Sequence, residues 1–454
     1  MGRGSRAIWR RPLGWVLAGA AAVRVAFAAF ATHAPNPFLV GDSTTYYLHA
    51  IGLASGRGYV FAYSPRGSAT AFHPPRWPLL LSLPFWIVKH SPIPDNFVAA
   101  GAVLNCALSI ATVVLVALVA RAWFGERAAT VAAILVGFLP GFVYYGASWA
   151  LENCFGALLM LAVWIVAVRP WNAGVVPRPR LVLFGLVLGY AVLVRPFALV
   201  LVPALMVGTR IAGGSWKRVL SQAAVVLALV LLVLTPWTVR NYVRLHGFVL
   251  VSTNLGDTFC QSHHPGATGG FDVVAKCDEL GHPPDAHAEI VRNRRNLHLG
   301  ADYLIHHPST EVRLLFWRTY FTLESDHDAL DSIDASGKVT YAHWVNRTWR
   351  RVLVRLADGG FAAFGGLVLF GAARSLVTSI RLRASSRARP TDAGLRGQIV
   401  FASISAASLA AVPLFLYGTP RFHVPWVPFV ALLACRPLAD ALFAPADGAT
   451  RARG

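Results

Sequence analysis

Ten apolar stretches, each near the length needed to cross a bilayer, govern what this chain can fold into. They run at about Leu13–Ala31, Phe97–Ala120, Ala128–Ala147, Trp149–Val168, Leu181–Val194, Phe197–Thr209, Val219–Trp237, Phe361–Ala373, Ile399–Tyr417 and Val424–Phe443. A helix requires about 20 mostly apolar residues to span the hydrocarbon layer. Within that layer only helices and closed barrels satisfy all of their peptide groups. The chain is 56% hydrophobic and only 14% charged, where soluble domains carry about 25% charged residues. A water-soluble globule cannot hide that much apolar surface, and a disordered chain needs low hydrophobicity. The expectation is an all-α polytopic membrane protein with about ten transmembrane helices.

The fifth and sixth stretches are short and separated by Arg195-Pro196. They form either a hairpin or one long tilted helix, and the second choice inverts everything downstream. Loop charge separates the two. With a hairpin, the loops 121–127, 169–180, 210–218 and 374–396 share one side, and all are basic. A single helix would put Arg374, Arg381, Arg383, Arg387, Arg389 and Arg396 outside, against the retention of Lys and Arg in cytoplasmic loops. The hairpin is therefore expected, with both termini cytoplasmic and the chain in the cell (inner or plasma) membrane. The first stretch has basic residues before it and Ala29-Phe30-Ala31 near its end, as a signal peptide does. Nine further spans and Arg24 within it favour an uncleaved first helix.

The same topology explains the formal charge of +20, with 41 Lys+Arg against 21 Asp+Glu. In a soluble protein that excess suggests a nucleic-acid partner. Here it falls on the cytoplasmic loops and leaves the outer side nearly balanced, so it reports orientation and no nucleic acid is expected.

Three parts follow: residues 1–238, a transmembrane module with a first outer loop at 32–96; residues 239–360, an extracytoplasmic subdomain of mixed charge; and residues 361–454, the last helices and a cytoplasmic tail. In the first loop, Thr44–Leu53 is amphipathic, and Trp77–Val88 is apolar but short for a span. Both suit helices lying along the interface. The outer subdomain carries Cys260, His263, His264, Cys277, His282 and His287. These are zinc-type ligands without a standard spacing, and a Cys260–Cys277 disulfide suits an oxidising exterior at least as well. Cys106, Cys154 and Cys435 fall within spans and read as packing residues. Asn346-Arg347-Thr348 is a glycosylation sequon, a pattern that also arises by chance.

Several polar residues gather at the outer ends of the spans. Asp42 precedes a helical pattern, where free backbone N–H groups favour the anion. It reads either as a helix cap or as a general base at the membrane surface. Glu152 enters a span, and a carboxylate there normally faces a functional cavity. Arg24, Arg195, Arg240 and Arg421 lie within or at the ends of spans. Arginine suits paired hydrogen bonding to phosphate, and Arg240 and Arg421 are the outer-facing members expected to hold one.

Taken in order, the motifs resemble the polyprenyl-phosphate-dependent glycosyltransferases of the GT-C fold, in the protein-mannosyltransferase and aminoarabinose-transferase group. The resemblance rests on Arg24, Gly41-Asp42 with Tyr46-Tyr47, Gly56-Arg57-Gly58-Tyr59 and His73-Pro74-Pro75-Arg76-Trp77-Pro78. It continues through Glu152-Asn153, Pro236-Trp237-Thr238-Val239-Arg240-Asn241-Tyr242, Ser252-Thr253-Asn254 with His264-Pro265-Gly266-Ala267-Thr268-Gly269, and Arg421-Phe422-His423-Val424-Pro425. It implies a sugar carried on a polyprenyl phosphate and used on the outer face, with Asp42 as the catalytic carboxylate of the first loop. Many relatives have two adjacent acids there and this chain has Asp42-Ser43, which makes Glu152 the substitute second acid. Tyr46, Tyr47, His73, Arg76 and His423 are then expected to contact substrate. Direct displacement would invert the anomeric centre and transfer the sugar to a hydroxyl of a glycolipid, a polysaccharide or a protein. No nucleotide or other soluble cofactor is required, and a divalent metal is left open. A transporter or lipid flippase is the alternative, but such proteins place broken or charged segments near the midplane in paired halves. This chain has no visible repeat and puts its polar residues at the outer ends.

Overall fold

The structure, a computed structural model, describes residues 12–32, 42–60, 68–92, 96–278, 286–334, 345–384 and 393–443. Both termini, Gly41, His282, Arg387 and Arg389 lie outside the described residues. Each of the ten apolar stretches is helical, and the β content among the described residues is isolated bridges such as Gly270 with Gly418.

The helices are α1 (Pro12–Ala31), α2 (Asp42–Ala54), α3 (Arg76–Lys89), α4 (Phe97–Phe124), α5 (Glu126–Gly137), α6 (Pro140–Tyr145), α7 (Glu152–Ala167), α8 (Arg178–Val192), α9 (Leu201–Ile211) and α10 (Trp216–Leu245). The outer segment adds α11 (Leu255–Ser262), α12 (Ala275–Asp278), α13 (Ala286–His306), α14 (Pro308–Leu323) and α15 (Asp328–Asp334). The chain closes with α16 (Arg347–Ala384), α17 (Ala393–Phe415) and α18 (Val427–Leu442). By length and composition, α1, α4, α10, α17 and the Arg347–Val377 part of α16 can each cross a membrane alone. The other expected spans are shorter. The 16 residues of α7 rise about 24 Å, less than the roughly 30 Å of hydrocarbon.

Proline and glycine explain most of the divisions. The Asn96 side chain accepts from Ala99 N–H at 2.9 Å and starts α4. Gly125, at φ +87°, turns the chain out of α4 and into α5, a conformation that L side chains rarely adopt. Pro140 occupies the first turn of α6, so the expected span at 128–147 is two helices rather than one. That break leaves the last carbonyls of α5 without helical partners in an apolar surrounding. Arg24 supplies the donors. Its Nη1 donates to Gly137 O at 2.5 Å, Nη2 to Val136 O at 3.1 Å and Nε to Ser109 Oγ at 2.9 Å. A guanidinium in the otherwise apolar α1 is thus the cap of a neighbouring helix.

The reversal at Arg195-Pro196 is present. Arg195 is extended, and Pro196–Val200 forms a 3-10 turn leading into α9. At the far end of this hairpin, Gly174 before α8 abuts Thr209 in α9. Gln222 of α10 donates to Gly174 O at 3.0 Å, and Gln398 of α17 donates to Arg169 O at 2.5 Å. Residues 169–174, the end of α9 and the first turns of α10 and α17 therefore meet at one end of the bundle.

Both first-loop segments are helical, as α2 and α3. α3 buries Trp77, Leu81 and Phe85 while exposing Leu83, Trp86 and Ile87, so it has apolar groups on both faces. The outer segment is also helical, and a Cys260–Cys277 disulfide joins α11 to α12, which removes those cysteines from any zinc site. The sequon residue Asn346 accepts from Thr348 N–H and Trp349 N–H and caps α16. That helix begins well before residue 360, where a domain boundary was expected. Glu289 of α13 ties the outer segment to the first loop: it accepts from Thr70 Oγ1 at 2.6 Å, Ala71 N–H at 2.9 Å and Thr253 Oγ1 at 2.6 Å.

Replacing Arg24 by Leu should lower thermal stability in lipid nanodiscs substantially, because two buried carbonyls lose their donors at about 1–3 kcal/mol each. Arg24→Lys should recover part of it, since one ammonium cannot reach all three acceptors. An unchanged melting temperature for Arg24→Leu would remove the capping role.

Candidate active site

Asp42 begins α2, and Tyr46 and His49 follow one and two turns later on the same face. A carboxylate in the first turn is favoured by the helix dipole. Its partner comes from the other end of the chain: Arg421 Nη1 donates to Asp42 Oδ2 at 2.8 Å, and Nη2 donates to the Tyr417 hydroxyl at 3.1 Å. Arg421 sits in a 3-10 turn, Pro420–Phe422. Gly418 N–H donates to Gly269 O at 2.8 Å and anchors the approach to that turn on the outer segment.

A second pair lies beside the first. Glu152, in the first turn of α7, accepts from Arg195 Nη2 at 2.5 Å. The Arg195 and Arg421 guanidinium carbons lie 5.2 and 5.8 Å from the Phe422 ring centroid, so one aromatic ring is shared by both cations. The two carboxylates differ in access. Glu152 is 2% exposed and Asp42 is 40% exposed, so of the two it is Asp42 that a hydroxyl from solvent can reach.

Charge sets the protonation states. Burial pushes the Asp42 carboxyl up, but Arg421 above all, then His73 and Arg195, pull it down to about 2. Tyr46 is held well above the ordinary phenol value, by burial first and by the Asp42 charge next, so it can donate a hydrogen bond but is not a base. Burial lowers His73, against an opposing pull from Asp42. Its ring meets Tyr46 edge-on at 5.1 Å between centroids.

The structure thus brings together Asp42, Tyr46, His73, Glu152 and Arg421. Four expected site residues are engaged elsewhere. Arg240 donates to the Thr70 carbonyl at 2.6 Å and the Tyr59 carbonyl at 2.5 Å, and lies over Trp237, so it braces the first loop. Tyr47 stacks on Trp149 at 5.2 Å. Arg76 lies over the Tyr190 ring at 3.6 Å. His423 is fully buried against Asp326. Arg195, whose position beside a proline marked the hairpin, is the member of the site that sequence reasoning did not select. Among the described residues, no group of three or more His, Cys, Asp or Glu side chains is arranged to hold a metal ion. Each of the two carboxylates Asp42 and Glu152 is held by an arginine.

Known proteins share this architecture. The archaeal oligosaccharyltransferase AglB from Archaeoglobus fulgidus, in complex with an inhibitory peptide and a dolichol-phosphate, matches with a TM-score of 0.52 at 16% identity, over 95% of this chain and 50% of that one. The likeness is one of fold. A second structure of the A. fulgidus enzyme, tethered with an acceptor peptide containing the NVT sequon, gives 0.52 at 15% identity, over 96% and 50% of the two chains. ArnT from Cupriavidus metallidurans, bound to undecaprenyl phosphate, gives 0.46 at 14%, over 94% and 78%. The chain spans half the length of the oligosaccharyltransferase it matches. Residues 73–239 also match the family described as dolichyl-phosphate-mannose-protein mannosyltransferase. That stretch contains His73, Glu152 and Arg195, while Asp42 and Arg421 lie outside it. No curated protein sequence matches the chain.

Because Asp42 is held below its ordinary value of 3.8, its pairing contributes stability fully above about pH 4 and loses it as pH falls toward 2. The melting temperatures of the wild type and Asp42→Asn should therefore converge over that window. A constant difference down to pH 2 would mean that the carboxylate is not paired.

Proposed function

We propose that this chain is a membrane glycosyltransferase that moves a sugar from a polyprenyl-phosphate donor to an acceptor hydroxyl on the extracytoplasmic face, with inversion. The observation that carries the reading is the 2.8 Å contact between Asp42 and Arg421. It sets a solvent-reachable carboxylate against a cation suited to phosphate.

In the transfer, the acceptor oxygen attacks the anomeric carbon as its proton passes to an Asp42 oxygen. The bond from that carbon to the phosphate oxygen breaks, and the electron pair leaves with the polyprenyl phosphate. Arg421 meets the charge that grows on the phosphate, and Arg195, with Glu152 beside it, takes the second cationic place expected of Arg240. Arg421 cannot serve Asp42 and a phosphate fully at once. Donor binding draws the guanidinium from the carboxylate, and the carboxylate becomes a stronger base as it does so.

The matched family and the dolichol-phosphate in the similar oligosaccharyltransferase structure support a lipid-linked donor. The disulfide supports an oxidising exterior for the outer segment. About ten crossings, with α5 and α6 together making one and α8 and α9 making one each, leave both termini on the side of the basic loops. The acceptor is a hydroxyl of a glycolipid, a polysaccharide or a protein.

Purified protein in nanodiscs, supplied with polyprenyl-phosphate sugars and a panel of glycolipid, polysaccharide and peptide hydroxyl acceptors, should release free polyprenyl phosphate. Asp42→Asn should lower that rate by about 10²–10⁴ with membrane abundance unchanged, and near-normal transfer would exclude Asp42 as the base. The same variant should bind undecaprenyl phosphate more tightly than the wild type, because the competing carboxylate is gone. Arg421→Ala should weaken binding of that lipid, and unchanged binding would remove its phosphate role.

A further inference from the structure

Two residues beyond Arg421, His423 makes a set of contacts that sugar transfer does not use. Its Nδ1 lies 3.1 Å from Thr322 O. A carbonyl only accepts, so Nδ1 carries a hydrogen and donates it. Its Nε2 lies 2.7 Å from Asp326 Oδ1, and both side chains are 0% exposed. One proton is shared on that second bond, whichever partner formally holds it. The imidazole also stacks on Phe361 of α16, with centroids 4.3 Å apart.

The partners are themselves fixed. Asp326 N–H donates to Asp358 Oδ1 of α16 at 2.8 Å. Its carboxylate is seated against Gly141 of α6 so closely that no side chain fits at that position. Thr322 lies in the last turn of α14, its hydroxyl bonded to Arg318 O at 2.7 Å. On the other side, His423 N–H donates to Pro420 O at 3.0 Å and closes the turn that holds Arg421, while Val427 N–H donates to His423 O at 3.1 Å and starts α18. His423 therefore joins the Arg421 turn to α14, α16 and the Asp326 segment.

Buried ionisable pairs are poor sources of stability, since apolar replacements of both partners are often neutral or stabilising. Their best-attested use is to select one register among several. A turn carrying a long cationic side chain is a place where register matters, because a shift of an ångström at the backbone moves the guanidinium off its target.

We infer that the His423–Asp326 pair is a positioning device for Arg421, locking the Pro420–Phe422 turn against the end of α14 so that the guanidinium is aimed at the donor phosphate. The inference rests on the phosphate role proposed for Arg421. Neither His423 nor Asp326 touches substrate; both act through the turn.

The test measures binding of undecaprenyl phosphate to the full chain in nanodiscs. The double variant Asp326→Leu/His423→Phe replaces both partners by apolar groups and leaves no orphan charge. It should weaken binding about ten-fold. Asp326→Asn should stay within about two-fold of the wild type, because its amide still hydrogen-bonds to Nε2. In an Arg421→Ala background the double variant should add nothing, since distinct groups acting through one residue are not additive. Asp326→Ala, made alone, should show the same dependence on Arg421 if the double variant does not fold. Unchanged affinity in the double variant overturns the inference, and so does equal weakening with and without Arg421. Should Arg421→Ala itself bind normally, the phosphate role falls and this inference with it, an outcome distinct from the other two.

Discussion

A chain this apolar has to satisfy its peptide groups internally wherever a helix is interrupted. Three interruptions organise the molecule. At Pro140 the freed carbonyls of α5 are taken by Arg24. At Arg195-Pro196 the α8–α9 hairpin reverses and delivers Arg195 to Glu152. At Pro420 a single 3-10 turn delivers Arg421 to Asp42. Each break needs a polar side chain nearby, and two of them set their arginines at one end of the bundle. The candidate site is thus placed where helices stop, the position at which a membrane protein can hold charge against low-dielectric walls.

The site is braced by contacts among segments far apart in sequence. Glu289 gathers Thr70, Ala71 and Thr253, and Arg240 braces the Tyr59 and Thr70 carbonyls. Together they hold the strand of chain that carries His73 beside Tyr46. The Gly269 and Gly418 backbones pair across the other side. Two ion pairs sharing Phe422 then lie between these supports, with one carboxylate sealed and one open to solvent.

Much of this was legible in the sequence. Apolar length picked out ten stretches that are helical in the structure, loop charge chose the hairpin, and the polar residues at span ends included Asp42, Glu152 and Arg421. Those signals are physical: hydrocarbon thickness sets length, and the cost of buried charge makes polar exceptions stand out. Partners were not legible. An arginine bound to main-chain carbonyls, as Arg240 is, has the same sequence signature as one awaiting a phosphate, because any residue supplies a carbonyl. His423 and Tyr47 stood within suggestive motifs, yet their rings are held by Asp326 and Trp149, neither of which lies at a helical spacing from them. Arg195 was visible for its proline neighbour, and its pairing with Glu152 required the third dimension.

Asp42 and Arg421 are 379 residues apart. The chain is made from its N-terminus, so Asp42 reaches the membrane long before its cation exists. Until the chain reaches Arg421, the carboxylate stands without the guanidinium it bonds to and without the turn that presents it. Assembly of the site therefore waits for the Pro420–Phe422 turn. Any product that stops short of that turn holds Asp42 without its ion-pair partner, so the contact marks a chain read through to Arg421.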